Sequence, residues 1–459
     1  LAGHNVYLSI DKGIQFTAER ELLAAINTYE AIGGSVVVVD PATGEILAMA
    51  SAPGYNPNDY SKADPDTRRN RAVVDRFEPG SSMKVFMMAS ALAAKSVAPN
   101  ASIYCEEGTM AIDNVVIHDT HVSKWLTPTQ ILSISSNIGA AKIALGLGEA
   151  RLYEGLRRFG FGDTTGIPFP GESMGVLRPR GRPWVQVATA SAAFGQGINV
   201  TALQMAMATA AVANNGRLLE PTLVKRVNDG TGVTLSEASP RVRRDAIPAH
   251  IAQMVSEMLV SVTEGEGTGV EAAIPGFRVA GKTATAQKID PATGKYTDAH
   301  YVASFIGFVP VEKPRLAMAV VLDEPMGGTH AGGSVAGPVF RRVGEMALRY
   351  LGVTPRGSVP VKLSDLSKKA EDGDPAANTY QVIAEGKVAG QPVAFAVTPS
   401  APMRAGETRV PDFSGWPARE AVKTAVGLGL QPSVEGTGRL ARQAPPAGTV
   451  LPKGATVKL

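Results

Sequence analysis

The sequence predicts an α+β unit followed by a small separate module, and three observations predict it. Strand-like runs lie near both ends of the stretch from Val6 to Leu351, with helical periodicity filling the interval. The pentapeptide Asp-Pro-Ala-Thr-Gly occurs twice, at 40–44 and at 290–294, each time after a β-rich run, as hairpin turns do. After Gly352 periodicity fades into Pro, Gly, Ser, Lys and Asp, and order resumes at Val410. At roughly 150 residues per domain, 459 residues predict two or three domains.

Taken in order, Val6 to Ile10 reads as a short strand, Asp11 to Thr28 as a helix and Gly34 to Val39 as a second strand. Asp40 to Gly44 turns the chain, with Pro and Gly where a turn needs fixed or positive φ, and Glu45 to Ala50 returns as the other arm of a hairpin. From Ser81 to Gly216 apolar residues recur at three- and four-residue spacing, in Met83 to Ala94, Pro128 to Leu147 and Thr201 to Asn214. Strands return after Val279. Lys282 to Lys288 enters the second Asp-Pro-Ala-Thr-Gly turn, Tyr301 to Val309 and Arg315 to Asp323 follow, and a helix from Val339 to Leu351 closes the unit. One sheet with edges built from both ends of the chain is expected, with the helical segment packed as its own layer. Boundaries are expected at 1–351, at 352–409 for a linker ordered in part at most, and at 410–459 for the module.

Composition narrows the function. Forty-five Lys plus Arg against 42 Asp plus Glu give a net charge of +3, which supplies no basic field for nucleic acid. The 49 Gly and 32 Pro with only 6% aromatics indicate a turn-rich chain. One cysteine, Cys105, excludes a disulfide framework and any Cys-cluster metal site. No stretch approaches 18 consecutive apolar residues. The start, Leu1-Ala2-Gly3-His4, runs within a few positions into a strand, so a fragment or processed form is expected, with any anchor upstream.

The chemistry gathers in three places. Ser81-Ser82-Met83-Lys84 opens a helix after Glu78-Pro79-Gly80, and three-residue spacing puts the Ser81 hydroxyl and the Lys84 amine on one face. A helix N-terminus favours charge developing on the serine oxygen, and burial beside a second cation lets lysine act as a base. An S-x-x-K arises by chance roughly once or twice in a chain of this length; Ser9-Ile10-Asp11-Lys12, across a strand end, is such a coincidence. Ser135-Ser136-Asn137 and Lys282-Thr283 are each weak alone, a helix end and a solvated strand edge being the ordinary readings. Together they supply the nucleophile, base, second hydroxyl, amide and cation that acyl transfer requires.

In order and spacing, Glu78-Pro79-Gly80-Ser81-x-x-Lys84, Ser135-x-Asn137 and Lys282-Thr283-x-Thr285 resemble the three motifs of penicillin-binding proteins. Asp40 to Pro53, Arg69-Asn70-Arg71-Ala72, Pro170-Gly171-Glu172, Phe194-Gly195-Gln196-Gly197 and Pro338-Val339-Phe340 also resemble segments of the class B, monofunctional transpeptidases. The resemblance implies a penicillin-binding/serine β-lactamase-like domain, an antiparallel sheet with a helical subdomain, that cross-links peptidoglycan stem peptides without cofactor or metal. Ser81 would attack the D-Ala-D-Ala carbonyl of a donor strand while Lys84 takes its proton, and Ser135 would relay a proton to the leaving D-Ala. Asn137 would hold the donor amide, Lys282 would polarise the Lys84/Ser135 pair, and Thr283 and Thr285 would hold the terminal carboxylate. The N–H groups of Ser81 and Thr285 would form the oxyanion hole, and β-lactams would acylate Ser81. Ala284 stands where the family usually has Gly, an intrusion of one methyl beside the substrate-binding threonines, expected to tune β-lactam or donor fit.

Val410-Pro411-Asp412-Phe413-x-Gly415, Glu420-Ala421, Gly427-Leu428-Gly429 and Gln443-Ala444-Pro445-Pro446-Ala447-Gly448 resemble a PASTA domain, implying cell-wall targeting or a spacer. Among other polar clusters, His118-Asp119-Thr120-His121 reads as a polar loop, Glu172 as a loop brace, the His330 to Gly333 stretch as a connector, and Met83, Met87 and Met88 as core. The resemblance implies septal wall synthesis on the periplasmic face of the cytoplasmic membrane, held there by an N-terminal segment absent from this chain. Nascent lipid-linked glycan would be the substrate, and a membrane glycan polymerase and division proteins the partners. A carboxypeptidase or β-lactamase, and a non-catalytic wall-binding scaffold or β-lactam sensor, are the alternatives.

Overall fold

In the computed structural model the described residues are 3–177, 185–355, 407–411, 413, 418–433, 440, 443–446, 449–452 and 454–458. The chain divides into two compact units, Leu1–Arg356 and Gly357–Leu459. The expected linker falls almost wholly outside the described residues.

The first unit is built on a five-stranded antiparallel sheet in the order Ala280–Ile289, Tyr296–Val309, Leu316–Asp323, Gly33–Val39, Ile46–Ala52. Its two edges come from opposite ends of the unit, as the strand distribution predicts. The strand Gly33–Val39 is buried along its whole length because both faces are covered. Val36 and Val38 join a core with Ile14, Ala18 and Leu22 of the helix Lys12–Tyr29 and with Val339, Phe340 and Val343 of the helix Gly332–Tyr350. Val37 and Val39 point the other way, into the helical layer. Both pentapeptide turns form alike: Asp40 accepts the N–H of Ala42 at 2.8 Å and Asp290 that of Ala292 at 2.9 Å, with Gly44 at φ 76° and Gly294 at φ 66°.

Three details differ from the sequence reading. The first strand, Asn5–Leu8, stays outside the sheet and pairs with Val224–Asn228. The closing helix starts at Gly332, not Val339, and carries Pro338 inside it. Proline lacks the N–H that would bond the carbonyl of Ser334 four residues back, and the Tyr29 hydroxyl donates to that carbonyl at 2.9 Å instead. The stretch from Pro128 to Leu147 is two helices, Pro128–Ser133 and Asn137–Leu147. Apolar spacing continues through the break, but Ser136 caps the second helix by accepting from Gly139 N–H at 2.9 Å, and Ser135 lies outside helical geometry at φ +65°.

Around the helix Met83–Ala93 packs the rest of the helical layer. Every residue from Met83 to Leu92 is buried, as an all-round apolar helix requires, and Phe86 meets Phe159 and Phe161 with ring centroids 5.0 Å from each. Met83, Met87 and Met88 are core, as expected.

The second unit has a small core of Val410, Phe413, Ala421, Ala425, Leu430, Leu440 and Val457, with a helix Ala418–Gly427 and two strand pairs. The side-chain amide of Gln443 donates to the Pro411 carbonyl at 2.9 Å, joining two of the segments that suggested the module.

Candidate active site

Ser81 lies in a short 3₁₀ turn, Gly80–Ser82, that runs directly into the buried helix Met83–Ala93. Gly80 makes the entry possible. It adopts φ +54°, and a Cβ there would lie 3.1 Å from the methyl of Ala286 and 3.4 Å from that of Ala284. The Ser81 turn therefore sits flat on the edge strand Ala280–Ile289. A second glycine presses from the other side: a Cβ on Gly195 would come within 2.3 Å of the Gly80 carbonyl oxygen. Glu78 ties the same turn to two neighbours, accepting from Gly197 N–H at 2.9 Å and from the Tyr296 hydroxyl at 3.1 and 3.0 Å. Burial pushes its carboxyl above the usual range, against those donors.

One turn after Ser81, Lys84 is fully buried and joins the first two motifs. Its Nζ donates to the Ser135 carbonyl at 2.6 Å and to Asn137 Oδ1 at 2.7 Å, with the Ser135 hydroxyl at 3.3 Å. Two carbonyl-type acceptors match the two N–H bonds of a neutral amine, which leaves the lone pair for a hydroxyl proton. Lys84 is held well below the ordinary lysine range, first by burial and then by Lys282, with Asp119 pulling the other way. Lys282 is also fully buried, and burial pushes it down to about 7. Two buried lysines in one wall cannot both remain charged cheaply, so this site favours an unprotonated amine at neutral pH.

On the edge strand, Lys282 Nζ donates to the Thr283 carbonyl at 3.1 Å, and the hydroxyls of Thr283 and Thr268 are 2.8 Å apart. Thr285 is exposed, and its hydroxyl accepts the Gly332 N–H at 2.9 Å. The stretch around Gly332 is thus more than a connector, since it opens a helix against the Lys282 strand. Ala284 departs from expectation: it is only 2% exposed, and its methyl faces the serine turn. Side chains alternate along a strand, so the residue between two threonines turns its methyl to the opposite face.

Of the residues singled out from sequence, Lys84, Ser135 and Asn137 meet directly, and Ser81 and Lys282 adjoin them. Sequence reasoning missed Asp119, Thr268 and the bracing by Glu78, Tyr296 and Gly195. Asp119 lay in the His-Asp-Thr-His loop; its carboxylate accepts the Ser136 hydroxyl at 2.5 Å and the N–H of Ile138 at 3.1 Å. No motif marks Thr268. Glu172 is a brace, as read: it accepts from Thr165 N–H at 2.6 Å and from the Thr165 hydroxyl at 2.5 Å.

The chain is similar to known proteins over most of its length. The family model of the penicillin binding protein transpeptidase domain matches residues 34–345, and that of the PASTA domain matches 408–459. The chain is 38% identical over 353 residues to a probable peptidoglycan D,D-transpeptidase of Neisseria flavescens, covering 77% of this chain and 84% of that protein. Stage V sporulation protein D of Bacillus subtilis is 31% identical over 466 residues, covering all of this chain and 65% of its own length. Of several other relatives the chain spans 58% of the length. Penicillin-binding protein 3 of Mycobacterium tuberculosis, solved with aztreonam, superposes with a TM-score of 0.72 at 32% identity, over 78% of this chain and 81% of that one. The chain belongs to the penicillin-binding protein transpeptidase family and carries a PASTA domain at its C-terminal end.

Proposed function

We infer that the protein is a serine-type D,D-transpeptidase that cross-links peptidoglycan stem peptides through a Ser81 acyl-enzyme. The observation that carries this reading is the fully buried Lys84, one turn from Ser81, with both short hydrogen bonds given to Ser135 and Asn137. An amine so placed takes the Ser81 proton as the hydroxyl attacks the D-Ala-D-Ala carbonyl. The Ser135 hydroxyl, 3.3 Å from Lys84 Nζ, passes a proton to the departing D-Ala. The carbonyl carbon is then bonded to Ser81 Oγ until the amine of a neighbouring stem peptide displaces it and restores the serine. Lys282 keeps Lys84 neutral and Asn137 aligns the donor amide. The exposed Thr285 receives the terminal carboxylate at the open edge of the strand, backed by Thr283, which is buried against the Thr268 hydroxyl. The N–H groups of Ser81 and Thr285 form the oxyanion hole.

β-Lactams, which mimic the donor end, acylate Ser81. The Glu172 carboxylate accepts from Thr165 and Gly166, a loop-bracing role that favours a long-lived penicilloyl-enzyme over water activation in the manner of a β-lactamase. In this reading the enzyme works in septal wall synthesis outside the cytoplasmic membrane, with a glycan polymerase and division proteins as partners. The PASTA domain, after a linker at 352–409, contacts the wall. Among the described residues no helix is long and apolar enough to cross a membrane.

The test is labelling by a fluorescent penicillin. Wild type is expected to label and to hold the label, and Ser81→Ala is expected not to label at all. No labelling of wild type leaves only a non-catalytic scaffold; fast release of the label leaves a β-lactamase.

A further inference from the structure

Behind the base sits a carboxylate that no motif announces. Asp119 follows the strand Val115–His118 and reaches the Ser135–Asn137 turn from outside it. Its Oδ2 accepts the Ser136 hydroxyl at 2.5 Å, while Oδ1 accepts the N–H of Ile138 at 3.1 Å and that of Asn137 in a shorter bond. The preceding residue completes the clasp, the His118 carbonyl accepting the Asn137 side-chain amide at 3.0 Å. The clasp therefore fixes the amide so that Oδ1 faces Lys84.

The turn so held contains Ser135 at φ +65°. Left-handed backbone is strained for a non-glycine residue and persists where the surroundings over-determine it. That backbone is what points the Ser135 carbonyl, and not a helical hydrogen bond, at Lys84 Nζ.

We propose that Asp119 is a positioning residue of the reaction, locking the turn that presents Ser135 and Asn137 to Lys84 and offsetting with its charge the second cation, Lys282, in the same buried wall. The proposal rests on the transpeptidase reading. The titratable and charged groups near Asp119 include His118 and His121 of its own loop, the His118 ring lying beside the Thr109 hydroxyl. Cys105 lies behind Ser136, its thiol pushed up by burial, and Glu106 pairs with Lys142. On Lys84 the charge of Asp119 works in the opposite sense to that of Lys282.

Asp119→Asn keeps an acceptor for the turn and removes the charge; Ser136→Ala removes one hydrogen bond and leaves the charge. The readout is the pH dependence of acylation by a fluorescent penicillin, with thermal unfolding alongside. Losing the carboxylate disfavours protonated Lys84, so in Asp119→Asn the acidic limb is expected to move down by about half a unit or more. The maximal rate is expected to fall about tenfold or more. Ser136→Ala is expected to lose rate without moving the limb. An acidic limb unmoved in Asp119→Asn overturns the proposal, whatever the rate, because a mere helix cap predicts that result. If Asp119→Asn does not fold, Asp119→Glu decides: acylation within about threefold of wild type supports the proposal, and failure to recover it in a folded protein overturns it. A wild type that does not react with penicillin sinks the transpeptidase reading instead, a separate result.

Discussion

Ala284→Gly separates two accounts of the residue that lies between Thr283 and Thr285. If the methyl stood in the substrate's path, removing it would speed acylation. The structure places it elsewhere: Ala284 is 2% exposed, and a Cβ at Gly80 would lie 3.4 Å from its methyl, so the methyl fills the space under the nucleophile's turn. Its loss forfeits about 0.8 kcal/mol of apolar burial. Glycine's freedom within a strand adds about 0.5–1 kcal/mol, for a total of about 1.5 kcal/mol. For a unit as large as Leu1–Arg356 that is a fall of roughly 2 °C in melting temperature. The strand pairing of residue 284 with Ser304 is a backbone matter and survives, so acylation is expected to stay within about threefold of wild type. Melting curves and stopped-flow acylation on the same preparations make the comparison. A tenfold gain in acylation rate with an unchanged melting temperature would refute the argument and return the methyl to the ligand's path.

Two further outcomes test the frame of the site. Gly195 holds φ +79°, and a Cβ there would meet the Gly80 nitrogen at 2.5 Å and its carbonyl oxygen at 2.3 Å, so Gly195→Ala is expected to displace the serine turn. Acylation should fall about 100-fold or more, and a folded variant acylating at the wild-type rate would show that the loop does not press on the turn. Lys282, pushed down to about 7 by burial, holds its proton less tightly than in the unfolded chain, where lysine titrates near its ordinary value. Between those pH values the unfolded state binds more protons, so stability should rise with pH from about 7 towards 10, and Lys282→Met should flatten that rise. Urea midpoints at three pH values decide it, parallel curves for the two proteins being the adverse result.

What the sequence determines by itself about this protein is local and chemical. Turn pentapeptides, a buried apolar helix opening on Ser-x-x-Lys, and strand alternation all act over a few residues, and each forms where the sequence places it. The motifs also state which groups are present, since acyl transfer needs that set. Packing decided the rest. Apolar spacing runs unbroken from Pro128 to Leu147, yet capping by Ser136 and the carboxylate of Asp119 breaks the helix there, and the break is what turns Ser135 towards Lys84. The closing helix read as starting at Val339, after Pro338, because the Tyr29 hydroxyl that satisfies the freed Ser334 carbonyl lies 305 residues from Ser334 in sequence. The low proton affinity of the two lysines and the burial of the Ala284 methyl follow from which surfaces lose water. That depends on contacts distant in sequence, which no local pattern records.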